Sequence, residues 1–139
     1  MVLDEGVRSL LEAPSPAVLT TYRKNGSALT TPVWFRFYEG VFEVVLAEGD
    51  IKRQHLGRTP RCSLVVFEAV PPFRGIEVKG EPELVDRDVT EVREAIARRY
   101  LGAERGARFA ATRRSRRGTV LRLAPHEPRV WDLAAELPD

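Results

Sequence analysis

Cysteine occurs once in the 139 residues, at Cys62, so no internal disulfide framework can form. The two histidines, His55 and His126, are too few for a His/Cys metal cluster beside that single thiol, and no metal site is expected. No apolar run approaches the roughly 20 residues of a membrane-spanning helix. Met1 leads straight into Val-Leu-Asp-Glu, with no basic and then apolar leader. The expectation is therefore a cytoplasmic protein without membrane contact. Glycine-rich phosphate loops, a serine nucleophile elbow and a two-histidine metal motif are all missing from the sequence. Residue types alone thus name no nucleophile and no general acid.

What is there describes a globular chain, 43% hydrophobic and 30% charged, long enough for one domain over residues 1–139. The net charge of +2 conceals an asymmetry. Residues 1–92 balance at −3, residues 93–122 carry ten arginines against Glu94 and Glu104, and the tail returns to −3. Such clustering is what phosphate neutralisation in nucleic-acid binding requires. With few interleaved aromatics, a solvated face, or arginines turned toward a partner subunit or an anionic ligand, is the favoured reading, and no nucleic-acid partner is expected.

Period-3.6 spacing of Leu3, Val7, Leu10 and Leu11 predicts a helix over the first dozen residues. The period then falls to two. Ala17 to Tyr22 reads as a strand, Lys24-Asn25-Gly26 as a hairpin turn, and Ala28 to Phe37 as a second strand. That second strand has Leu29, Thr31, Val33, Phe35 and Phe37 on one face and Pro32, Trp34 and Arg36 on the other. Pro32 cannot donate to a ladder, so its strand is expected at an edge, at a bulge, or facing a ligand. Val41 to Ala47 completes a meander, and Asp50 to Arg58 is a short helix with Asp50 as N-cap. A buried strand over 61–67, a bent strand over 76–84, a capping box at Asp88 to Glu91, one or two helices and two last strands follow. The reading is mainly β, an α+β barrel-like domain of about seven antiparallel strands with peripheral helices.

Cys62 sits mid-strand on an apolar face and reads as a packing thiol. His55 reads as a solvated or helix-end side chain, and His126 as a loop residue. Glu48 to Gln54 is a strand-to-helix turn whose free N–H groups and Lys52 suit a phosphate or carboxylate, or simply a capped surface helix.

Order along the chain adds to this. Thr30 to Phe35, Asp50-Ile51-Lys52, Leu56 to Val66, Ile76 to Pro82, Arg99 to Gly102, Val120 to Pro125 and Arg129 to Asp132 succeed one another at compatible spacing. This ordered set resembles the pyridoxamine 5'-phosphate oxidase-like family, and more narrowly its actinobacterial flavin- and deazaflavin-dependent oxidoreductases. The resemblance implies a split β-barrel working as a homodimer, with coenzyme F-420 or FMN bound at the subunit interface. It implies hydride transfer to a small unsaturated substrate, or a flavin- or heme/tetrapyrrole-binding protein with little turnover. The ring would lie along Thr31, Pro32, Val33 and Trp34. The phosphate or acidic tail would meet Ala47, Glu48 and Asp50 at the turn, and Lys52, Arg53 and Arg58 on the helix. No catalytic residue is carried over. Pyridoxamine phosphate oxidases proper have an Arg-Lys pair where this chain has Ile51-Lys52, and a Ser or Thr in place of Asp50. Those departures favour the deazaflavin over FMN.

Overall fold

The computed structural model describes residues 3–139, the Arg87 side chain excepted. In chain order it contains α1 (Glu5–Glu12), β1 (Ala17–Tyr22), β2 (Ala28–Val33), β3 (Arg36–Tyr38), β4 (Val41–Ala47) and α2 (Ile51–Arg58). There follow β5 (Cys62–Phe67), β6 (Gly75–Gly80), β7 (Glu83–Arg87), α3 (Thr90–Leu101), α4 (Ala103–Ala111), β8 (Gly118–Leu123), β9 (Arg129–Trp131) and a 3-10 turn at Ala134–Glu136. The first two residues of the expected N-terminal helix lie outside the described residues. Its remainder forms, capped where Asp4 Oδ1 accepts the Val7 N–H at 2.8 Å.

All strand pairs are antiparallel. They make one sheet in the order β2-β1-β5-β6-β9 and another in the order β3-β4-β8-β7. This is the expected mainly β, α+β split-barrel architecture. Among the described residues no ladder closes the two sheets into one ring. Alternating side chains Leu19, Leu64, Ile76 and Val78 from the first sheet meet Phe42, Val44, Leu46 and Leu121 from the second, and Val7, Leu10 and Leu11 of α1 seal the end. A smaller cluster of Val89, Val92 and Ile96 packs on Val120 from the outer side of β8. No described helix is long and apolar enough to cross a membrane.

Four local expectations are corrected. The Ala28–Phe37 strand breaks after Val33, and the alternation of exposed and half-buried residues ends there. Phe35 and Arg36 are both buried in succession. The bend at Glu81-Pro82 is a change of sheet, because β6 pairs with β5 whereas β7 pairs with β8. Together these breaks raise the strand count from about seven to nine. The capping box does not close: Asp88 accepts the Thr90 N–H at 2.9 Å, while Glu91 reaches across to Arg36 at 3.1 Å. Pro32 stands in β2, an edge strand, as a residue without a donor should.

Helices α3 and α4 are joined at Gly102, whose φ of 87° falls where a side chain would be strained. At Gly106 they approach so closely that an added Cβ would lie 2.5 Å from the Arg98 Cα. Arg99 fastens α3 to the strand break, donating to the carbonyls of Phe35 at 2.9 Å, Leu11 at 3.1 Å and Ala13 at 2.8 Å. The last two belong to the C-terminal end of α1, whose carbonyls have no helical partner of their own.

Candidate functional site

Between β2, β4, the start of α2 and the α3–α4 pair lies a groove of ≈ 770 Å³. That falls within the range of small-molecule sites. Its floor is made by Val44, Val45, Leu46 and Ala47 of β4, and one rim by Pro32, Val33 and Trp34. Trp34 is 38% exposed. Its ring stacks on Tyr100 at 5.1 Å and 11° and leans on Phe109 at 5.4 Å, forming a continuous aromatic wall. The Tyr100 hydroxyl is held twice: it donates to the Ser15 carbonyl at 2.9 Å and accepts the Phe35 N–H at 3.4 Å. Burial pushes its pKa upward.

The polar end begins at the turn from β4 into α2. Asp50 Oδ1 caps the helix by accepting the Lys52 N–H at 2.9 Å, and Oδ2 lies 3.1 Å from Lys52 Nζ. The anion position at this helix N-terminus is therefore filled by the chain's own carboxylate. A second cleft of ≈ 680 Å³ adjoins the groove at Ala47 and Arg116, with Glu48, Gly49, Arg53, Arg114 and Arg117 around it. Arg53 is already committed to Asp86, through Nε at 3.2 Å and Nη2 at 3.0 Å. Arg53 and then the Thr119 hydroxyl hold the Asp86 carboxyl below its usual pKa.

Six of the ten residues singled out from sequence line the groove: Pro32, Val33, Trp34, Ala47, Asp50 and Lys52. Glu48 and Arg53 line the adjoining cleft, and Thr31 and Arg58 line neither. The other side of the groove escaped the sequence reading. Tyr100 stands in the sequence only as part of the Arg99–Gly102 segment, Phe109 has no pattern, and Arg93 is one arginine among ten. Local spacing carries no signal that α3 and α4 bring Tyr100 and Phe109 against Trp34. Only the order Arg99-Tyr100-Leu101-Gly102 within the resemblance pointed there.

His55 is buried rather than solvated, with Nδ1 2.9 Å from the Thr21 Oγ1. Cys62 is buried as expected, and burial pushes its thiol up to about 12, so no thiolate forms near neutrality. His126 is exposed in its loop. Among the described residues no group of three or more His, Cys, Asp or Glu side chains could hold a metal ion.

Residues 3–132 match the family described as pyridoxamine 5'-phosphate oxidase. Among solved structures, the chain is similar to the conserved hypothetical protein Rv2991 from Mycobacterium tuberculosis, with 21% identity and a TM-score of 0.78 over 100% of this chain and 91% of that one. It is similar also to an F-420 reductase, with 22% identity and a TM-score of 0.73 over 91% of this chain and 98% of that one. A third likeness is to HutZ, the heme storage protein from Vibrio cholerae, with 14% identity and a TM-score of 0.65 over 95% of each chain. At these identities the likeness speaks for the fold. No curated protein matches the chain.

Proposed function

Because the chain belongs to the pyridoxamine 5'-phosphate oxidase family, we propose that it is a cytoplasmic oxidoreductase of a single domain. It passes a hydride between a deazaflavin of the F-420 type, or less tightly FMN, and a small unsaturated substrate. The observation that carries this reading is the pairing, in one groove, of a flat aromatic wall at Trp34, Tyr100 and Phe109 with cationic side chains at one end. A planar ring with an anionic tail fits that arrangement. Such a ring, when bound, supplies the hydride chemistry itself. The chain's part is to orient it along Pro32–Trp34 and to keep water from its inner face with the Val44–Ala47 floor.

Asp50 sets the preference between the two cofactors. With its carboxylate 3.1 Å from Lys52 Nζ, a dianionic phosphate monoester meets a locally neutral pair. A phosphodiester carries one charge less at that point and suffers less repulsion. A heme is the weaker alternative: of the groove-lining side chains only the Tyr100 hydroxyl is an ordinary iron ligand, and it is engaged with Ser15.

The test is the visible spectrum of the purified protein, followed by titration with each cofactor. The deazaflavin should bind more tightly than FMN, and more weakly as salt rises. Lys52→Ala should weaken binding by roughly tenfold or more, because it leaves the Asp50 carboxylate without its counter-charge beside the ligand's anionic tail. Micromolar FMN affinity untouched by Lys52→Ala, or failure to bind either cofactor, defeats the reading.

We propose also that the working unit is a homodimer. The outer face of β2, with Ala28, Thr30 and Pro32 exposed, runs into exposed Trp34 and is left uncovered at the sheet edge. Phe35 takes no part in this surface, being buried in its own core. Light scattering at micromolar concentration should give twice the chain mass of 15.7 kDa. A monomeric mass removes the shared site.

A further inference from the structure

Arg93 exposes only 7% of its surface, yet no carboxylate of the described residues lies within ion-pair distance of it. Its Nη1 donates to the carbonyls of Arg113 at 2.9 Å and Arg116 at 3.1 Å. Its Nε and Nη2 make no hydrogen bond among the described residues. Since no buried side-chain polar atom lacks a partner, these nitrogens keep some access to solvent, and Arg93 is one of the residues that line the groove. Arg113 and Arg116 line the same groove and are likewise without a carboxylate. Arg113 lies with its guanidinium 3.7 Å from the Phe109 ring centre and donates to the Phe109 carbonyl at 3.1 Å.

Among the more buried arginines elsewhere, Arg36 and Arg122 pair with Glu43, Arg53 with Asp86 and Arg74 with Glu68, while the Arg99 guanidinium donates to backbone carbonyls. Three guanidinium groups gathered in one groove without an ion-pair partner are unlike the paired ones, Asp88 acting on Arg93 only from beyond ion-pair distance. Burying an uncompensated charge is unfavourable, and the same site acquires its counter-charge when an anion enters. The burial of Arg93, and then the nearness of Arg113 and Arg116, depress its pKa in the unliganded protein.

We propose that Arg93, Arg113 and Arg116 form an anion site that takes the phosphate group of the bound ligand, on the α3–α4 side of the groove and separate from the Asp50-neutralised Lys52. Planar guanidinium groups suit phosphate oxygens better than an ammonium does. The site stands on its own geometry. Only the identity of the phosphate's carrier, a flavin monoester or a deazaflavin phosphodiester, rests on the oxidoreductase reading above.

The experiment uses the full chain and inorganic phosphate, with sodium chloride at matched ionic strength as the control. Phosphate should raise the melting temperature of the wild-type protein, with an apparent affinity at least tenfold weaker in Arg93→Gln and Arg116→Gln. Arg116→Gln removes a side chain with no hydrogen bond or ion pair among the described residues, so its fold should be intact even if Arg93→Gln loosens the turn. Arg93→Lys, which keeps the charge, should recover most of the response. An equal response in wild type and both glutamine variants, or none in wild type, overturns the site. Titration with FMN and with the deazaflavin separates the two readings. A phosphate response that depends on Arg93, with no cofactor binding, keeps the site and ends the oxidoreductase reading. Cofactor binding indifferent to both variants does the reverse.

Discussion

Glu43→Ala is expected to lower stability by about 3 kcal/mol, the lower end of the cost of breaking a buried pair, because Arg36 and Arg122 keep only the exposed Glu91 and Glu83. The Glu43 side chain is 2% exposed and accepts from Arg36 Nε at 2.7 Å and Arg122 Nε at 2.9 Å. The registers place Arg36, Glu43, Arg122 and Glu83 side by side across β3, β4, β8 and β7, so charges alternate along one row of the sheet. Without Glu43, two guanidinium groups face each other across an empty position. Thermal unfolding should then begin roughly ten degrees or more lower. Glu91→Ala supplies the control. It also pairs with Arg36, at 3.1 Å, but its side chain is 73% exposed. Water replaces such a carboxylate, and the loss should stay under about 1 kcal/mol. Equal losses from the two variants would show that burial of Glu43 is not what holds the row together.

The second large effect separates two adjacent aromatics. Phe35 is fully buried, within contact of Phe42 at a centroid distance of 5.9 Å. Phe35→Ala should cost about 3–5 kcal/mol by leaving a cavity. Trp34→Ala removes an exposed ring whose stacking on Tyr100 is worth on the order of 1 kcal/mol. Its melting temperature should fall by only a few degrees, while cofactor affinity falls at least tenfold. A Trp34→Ala protein that unfolds as early as Phe35→Ala, yet binds cofactor normally once folded, would make Trp34 a packing residue and remove it from the site.

Much of the fold follows from periodicity close at hand. The β1–β2 hairpin was readable because Asn25-Gly26 sits between two alternating runs, and α2 because Asp50 precedes a helix that Thr59-Pro60 must end. Where a break was missed, the local pattern was ambiguous. Val33-Trp34-Phe35 looks like uninterrupted strand, and only the burial of Arg36 against Glu43 reverses the phase. The charge row joins residues up to 79 positions apart, so nothing in any single segment announces it. The same holds for the groove. Its β2 and α2 side lies in local motifs, whereas Arg93, Tyr100 and Phe109 join it through the return of a helix pair over the sheet.

That return depends on an atom that is missing. With no Cβ at Gly106, α4 comes to rest against the Arg98 backbone, and this closest approach sets how far Phe109 and the Arg113 turn stand from Trp34. The width of the groove is thus gauged at a point that touches no ligand. A single methyl group there would act as a shim, prying the α3–α4 hairpin open and moving the aromatic wall and the arginines together.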